Sequence, residues 1–318
     1  MKHIKFLGIP FSAGQPHRGV EVAPRTLRET GFLRALPGKV LDLGDLDFSL
    51  CGERSEGLIK NEKQSALGNA LISEAIASED LRQSFLLCAG GDHGLALGTI
   101  HGLLAHYPDM VVIWADAHGD INTPQTSHSG NFHGMPLSFL LNGDQGIHSF
   151  RWLRRTLRPG QLIYMGPRDL DGGERALIED LGIQWYSSED INSFGVEALL
   201  KHALRIADPS GRCPLHLSFD VDVFDAPDVV ATGTRVAQGP LKSEIMKLGR
   251  LVGQTGRLRS MDLVEVNPEL CHETQTRETL ELARRFTLSV TAPMFPPRPV
   301  QEPQLVLPSL KQLYPVSA

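Results

Sequence analysis

Six side chains in this sequence are of types that bind divalent cations, at spacings that let them converge: His93, Asp116, His118, Asp120, Asp220 and Asp222. Asp116-Ala117-His118-Gly119-Asp120 puts a ligand type at every second position, and Asp220-Val221-Asp222 repeats the spacing. In an extended chain alternate side chains share a face, so each segment would aim its ligands one way. Aspartate after a strand is often only a turn former, and for a lone aspartate that reading suffices. Four aspartates and two histidines behind buried-looking apolar runs ask for more. Carboxylates that converge without a cation repel one another and are driven to protonate. The set is rich in carboxylate, has two imidazoles and lacks thiolate, which disfavours structural zinc and suits a harder ion such as manganese. Six ligands are too many for one catalytic ion that must keep an open position. Two ions sharing bridging carboxylates fit better, and such a pair lowers the pKa of a bridging water enough to give hydroxide near neutral pH.

Other histidines carry less. His133 lies in a small polar loop, Ser127-His128-Ser129-Gly130-Asn131-Phe132-His133-Gly134, and a loop histidine beside a metal site is a proton-transfer candidate. His101, His106 and His202 fall on expected helices and read as surface or packing residues. His216 falls inside an expected strand and reads as a core histidine.

The elements that must position these residues are short apolar runs alternating with helical patterns. The runs are His3 to Ile9, Val40 to Leu43, Phe85 to Ala89, Met110 to Ala115, Leu162 to Met165, Leu215 to Phe219 and Ser260 to Val266. Several are continuously hydrophobic, as strands buried on both faces require. Helical spacing covers Ala23 to Phe32, Glu62 to Ser78, Leu95 to His106, Glu174 to Leu181, Val196 to Ile206, Lys242 to Val252 and Gln275 to Leu288. The alternation predicts a three-layer α/β fold, a mostly parallel sheet flanked by helices. Ligands of such sheets bind beyond the carboxyl ends of the strands. There the sequence places Gly90-Gly91-Asp92-His93, the Asp116–Asp120 segment, Asp220-Val221-Asp222 and Glu265.

With 318 residues and no linker or repeat, residues 1–291 read as one catalytic domain. Prolines at 293, 296, 297, 299, 303, 308 and 315 make 292–318 an extended proline-rich tail, a candidate contact with a neighbouring subunit. A net charge of -6 gives no electrostatic case for nucleic acid or an anionic membrane and is mildly favourable for a cationic substrate. The four cysteines, Cys51, Cys88, Cys213 and Cys271, form no CxxC pair and read as reduced thiols. No signal peptide and no membrane-spanning run are evident, so a cytoplasmic location is expected.

Taken together, these motifs resemble the ureohydrolases, and most closely the arginases, from Lys5 to about Leu288. The resemblance rests on Pro10-Phe11-Ser12-x-Gly14-Gln15-Pro16, Gly90-Gly91-Asp92-His93, Asp116-Ala117-His118-x-Asp120-Ile121-Asn122-Thr123-Pro124 and Thr126-Ser127-His128-Ser129-Gly130-Asn131-x-His133-Gly134-x-Pro136. It continues through Arg168-Asp169-x-Asp171-x-x-Glu174, Ser218-Phe219-Asp220-Val221-Asp222, Ala231-Thr232-Gly233-Thr234 and Glu265-Val266-Asn267-Pro268. It implies two Mn2+ ions per chain, one on His93, Asp116, Asp120 and Asp220, the other on Asp116, His118, Asp220 and Asp222. It further implies that Glu265 pairs with a guanidinium, as suits a carboxylate facing a fork of N–H donors, and that His133 moves protons. Asn122 and Ser129 would bind an α-carboxylate, Asp171 with Glu174 an α-ammonium, and Thr234 would also meet the substrate. The implied substrate is L-arginine, cleaved to L-ornithine and urea, and the implied assembly is a homo-oligomer, trimer or hexamer.

The sequence departs from the family at Gly94, where serine is usual, at Val223-Phe224, at Arg235 and at Ala237-Gln238-Gly239-Pro240. These departures keep other readings open: a ureohydrolase acting on agmatine or a guanidino acid, or a non-catalytic family member. A single-zinc deacetylase on a related fold is the third, and the six-ligand set argues against it.

Overall fold

A computed structural model describes residues 3–52 and 54–295. The proline-rich stretch from 296 lies outside the described residues. Among the described residues there are eight strands: β1 His3–Ile9, β2 Lys39–Asp45, β3 Ser84–Gly90, β4 Val111–Ala115, β5 Leu162–Met165, β6 Gln184–Tyr186, β7 Leu215–Asp220 and β8 Leu258–Val264. They form one parallel sheet in the order β2-β1-β3-β8-β7-β4-β5-β6. Among the described residues ten α-helices connect them. They are α1 Ala23–Glu29, α2 Phe32–Ala35, α3 Glu62–Ala77, α4 Ala96–Leu103, α5 Pro136–Asn142, α6 Gly172–Asp180, α7 Ser188–Phe194, α8 Val196–Ala207, α9 Lys242–Gln254 and α10 Glu273–Thr291.

The expected three layers are present. Alternate residues of the central strands feed two separate cores. Phe85, Leu87 and Ala89 of β3 join the core under α1 and α7 to α10, while Leu86 and Cys88 join the one under α3 to α6. That is why these strands read as unbroken apolar runs. Phe286 of α10 stacks on Phe219 of β7 with ring centroids 3.5 Å apart, and Phe224 meets both rings edge-on. Burying each such ring contributes roughly 1.5–3 kcal/mol. Since Phe219 directly precedes Asp220, this packing fixes where β7 ends. His216 is buried in β7 beside Ser260 Oγ at 2.9 Å, as its place in a strand suggested. No described helix is long and apolar enough to cross a membrane.

Local differences from expectation have identifiable causes. The helix expected over Ala23 to Phe32 breaks after Glu29, where Gly31 adopts φ +79°, and restarts as α2. The last strand ends at Val264 because Glu265 turns into the left-handed region, φ +61°. Strand β6 is three half-buried edge residues, too short for a periodic signal. Helix α5, which lies outside the helices expected from the sequence, opens on Pro136 at its first turn just after the polar loop. Helix α7 follows a capping box, Ser187 with Asp190, a legible start signal that the apolar pattern alone does not reveal.

Candidate metal centre and substrate cleft

Strands β3, β8, β7 and β4 are neighbours, so their carboxyl ends deliver Asp92-His93, Glu265, Asp220 and Asp116 to one rim. Three of these ends share a local device. Asp92, Asp116 and Asp220 each accept the backbone N–H two residues on, from Gly94 at 2.9 Å, His118 at 2.7 Å and Asp222 at 2.8 Å. Each aspartate thereby turns the chain at the end of its strand. The ligand segments are therefore not extended throughout. Asp222 lies in a short 3-10 turn, Val221–Val223, and Asp120 in a left-handed conformation, φ +50°. Such strained backbone persists where its surroundings impose it, commonly at functional sites. Glycine is required beside the ligands. At Gly91 a Cβ would lie 1.5 Å from the Phe11 carbonyl oxygen.

Five of the six side chains converge in two groups that share Asp116, His93 with Asp116 and Asp220, and His118 with Asp116 and Asp222, and Asp120 adjoins the first through His93. His93 Nδ1 faces Asp116 at 2.8 Å, Asp120 at 3.1 Å and Asp220 at 3.3 Å. His118 Nδ1 faces Asp222 at 3.1 Å and Asp116 at 3.3 Å. Although His93 Nδ1 is buried among three carboxylates, it makes no hydrogen bond. An orphaned donor atom ringed by carboxylate oxygens is what a cation-binding set requires, so the residues fit a pair of divalent ions.

The electrostatics agree. Burial, with Asp222 and Asp116 close by, pushes the Asp220 carboxyl well above the usual carboxylate range, and burial also raises Asp222. Burial and Asp116 lift Asp120 to about 6. Burial opposes charging both imidazoles, yet the surrounding carboxylates hold His93 and His118 well above the usual histidine range. The cluster thus gathers positive charge from whatever source is at hand, and binding a divalent ion there releases protons. Outside the ligands, the Trp114 indole stacks on His93 at 3.9 Å and donates to Asp116 Oδ2 at 3.0 Å. Ser218 Oγ lies 2.8 Å from His93 Nε2 and fixes the outer edge of that ring.

Above the cluster opens a cleft of about 210 Å³ lined by His118, Asp120, Asn122, His133, Gly134, Asp169, Asp171, Glu174, Asp220, Thr234 and Glu265. Glu265 is buried and held from three sides. It accepts from His93 N at 2.9 Å and Gln15 Nε2 at 2.8 Å and pairs with His133 Nδ1 at 3.2 Å. Burial alone would lower the His133 pKa, but Glu265 and then Asp120 and Asp92 raise it to about 9. Asp171 is the N-cap of α6, and its Oδ2 accepts from Asn122 Nδ2 at 2.8 Å. Glu174 closes the same capping box, and burial beside Asp120 raises its pKa to about 8. Thr234 Oγ1 donates to Asp222 Oδ2 at 3.1 Å.

The structure therefore brings together every site residue expected from the sequence except Ser129, which is exposed on its loop, accepts from Asn131 N and does not line the cleft. Asp92, Gln15, Trp114 and Arg168 support the site and drew no role from the sequence, although all but Trp114 stand in motifs that stood out there. The departures lie off the cleft. Val223 is buried, Arg235 is exposed, and a Cβ at Gly94 would meet Asp92 Oδ1 at 2.7 Å.

A family model described as the arginase family matches residues 2–292. The chain belongs to the arginase family. It is 37% identical to the mitochondrial arginase-2 of Homo sapiens over 290 residues, 88% of this chain and 82% of that protein. The solved arginase of Bacillus caldovelox matches it with a TM-score of 0.81 at 31% identity, covering 91% of this chain and 98% of that one. An Entamoeba histolytica arginase solved in complex with L-ornithine matches with a TM-score of 0.80 at 29% identity, covering 90% and 98%. This arginase-family hydrolase thus presents its His and Asp clusters on the fold those relatives share.

Proposed function

We propose that the chain hydrolyses L-arginine to L-ornithine and urea at a pair of manganese ions held by His93, Asp116, His118, Asp120, Asp220 and Asp222. The observation that carries this reading is a cleft with a dense cation-binding floor and a second polar group, Asn122 with Asp171, on its wall. When bound, the ions supply a hydroxide nucleophile at neutral pH and polarise the guanidinium. Glu265, anchored by Gln15 and His93 N, offers carboxylate to the guanidinium N–H groups. His133 carries a proton at Nδ1, shared with Glu265, and a protonated imidazole at the cleft is placed to give a proton to the departing ornithine amine. Asp171 and Asn122, with Glu174 and Thr234 near them, would hold the amino-acid end, whose binding orients the reacting end.

The solved relative that binds L-ornithine supports this substrate class, and none of the sequence departures reaches the cleft wall. The test is urea release from arginine and agmatine by the manganese-loaded and the chelated protein. Arginine should be cleaved only with metal, and agmatine, which lacks the carboxylate, should be slower by several orders of magnitude. Equal cleavage of the two would move the assignment to another ureohydrolase. A cytoplasmic homo-oligomer, trimer or hexamer, belongs to the same proposal; a monomer in light scattering at working concentration would remove that part.

A further inference from the structure

Arg168 precedes β-bridge residue Asp169 and stands outside the cleft, yet its guanidinium is almost entirely spent on one loop. Nη2 donates to the carbonyl oxygens of Asp222 and Phe224, both at 2.8 Å, and of Val236 at 3.0 Å. Nη1 donates to Val223 O at 3.1 Å and Gly166 O at 3.2 Å, and Nε to Ala237 O at 3.2 Å. All of these carbonyls except that of Gly166 lie at the two ends of an irregular segment that starts from the candidate ligand Asp222 and has Thr234 near its far end. A planar fork of five N–H groups serves carbonyls arrayed in this way; a lysine ammonium has three donors and no fork. The backbone of the same residue is tied elsewhere. Arg168 N and Asp169 N both donate to Ala117 O, at 2.8 and 3.0 Å, and Asp169 bridges to His118. Ala117 N in turn donates to Asp222 Oδ1 at 3.3 Å.

Arg168 therefore joins the segment carrying His118 to the segment carrying Asp222. The other half of the cluster has different supports: His93 follows β3 and is held by Ser218, Trp114 and Glu265. We propose that Arg168 is a positioning residue that sets the His118–Asp222 cation subsite and leaves the His93 subsite to its own supports. The inference rests on the reading that two divalent ions bind the cluster.

The experiment is manganese titration of the full chain, wild type, Arg168→Lys and Arg168→Met, followed by electron paramagnetic resonance and by competition with a chelator. Wild type should take up two ions and show the spectrum of an exchange-coupled pair. In both variants one ion should stay at near wild-type affinity while the other weakens by about 10–100-fold, the size of effect usual for outer partners of ligands. At intermediate chelator the coupled spectrum should give way to that of a single manganese, more fully in Met than in Lys. Two ions retained at wild-type affinity in Arg168→Lys would overturn the proposal. So would parallel loss of both ions, or failure of Arg168→Lys to fold, since either would mean that the guanidinium supports the fold at large. A wild-type chain that takes up no manganese would instead sink the metal reading itself.

Discussion

The floor and the wall of the cleft are built in different ways. Floor ligands follow directly from strands β3, β4 and β7, which are buried on both faces, and Asp116, Asp222 and His93 are essentially inaccessible. Wall residues Asn122, Asp171 and Thr234 come from loops and a helix cap, and they are held by side-chain hydrogen bonds, Asn122 to Asp171 and Thr234 to Asp222 of the floor. A strand end in a close-packed sheet cannot shift without moving its neighbours, whereas a loop shifts at low cost. On the proposed function, chemistry that tolerates no displacement would sit on the sheet, and recognition, where substrates differ, on loops.

Mutations can break this comparison, and the largest effects belong to the floor. Asp120→Ala or Asp222→Ala should lower manganese content and urea release together, the latter by about a thousandfold or more, because several kcal/mol of barrier depend on the ions. Elemental analysis beside a urea assay checks it, and full activity after exhaustive chelation would refute the metal mechanism. The wall comes next. Asp171→Ala should lower kcat/KM for arginine by roughly 2 kcal/mol if a charged hydrogen bond is lost, with metal content unchanged. A silent substitution would remove Asp171 from recognition.

A support farther from the cleft sharpens the contrast through pH. His101 of α4 is buried, lies 2.7 Å from Ser73 Oγ, and accepts from Arg154 N at 3.1 Å and Arg155 N at 3.3 Å through Nε2. Burial, and secondarily Arg155, lowers its pKa to about 4. The folded state therefore prefers the neutral ring. That stability is fully present above about pH 6.5, the unfolded value, and is lost as pH falls toward 4. Tm should drop over that window by roughly 2–6 °C more in wild type than in His101→Gln, measured by calorimetry; identical slopes would contradict it. The smallest effect is expected at Ser129. Exposed and off the cleft, its change to Ala should alter kcat/KM by less than about 0.5 kcal/mol. A larger loss would mean that substrate draws the loop inward.

Floor and wall also differed in how far the sequence disclosed them. Ligands spaced two apart after apolar runs are visible in one dimension because strand geometry is local. The supports are not. Gln15 reaches Glu265 across 250 positions, and Arg168 reaches Asp222 across 54. A glutamine and an arginine have many uses, so type and spacing gave them no role. Ser129 shows the converse: its motif marks a family position, but whether a loop side chain lines a cleft depends on how the loop folds over it.

Residue order alone determined the parallel α/β class, the residues that end the central strands and the donor chemistry of the six candidate ligands, because hydrophobic period and side-chain type are properties of short segments. Only the tertiary structure decided that β8 and β7 lie between β3 and β4, which brings Glu265 beside His93 and seats both histidines among the carboxylates. It also decided the left-handed turns at Asp120 and Glu265 and the raised pKa of Glu174. Those follow from close packing and from the mutual repulsion of charges drawn together from distant parts of the chain, and neither exists until the chain has folded.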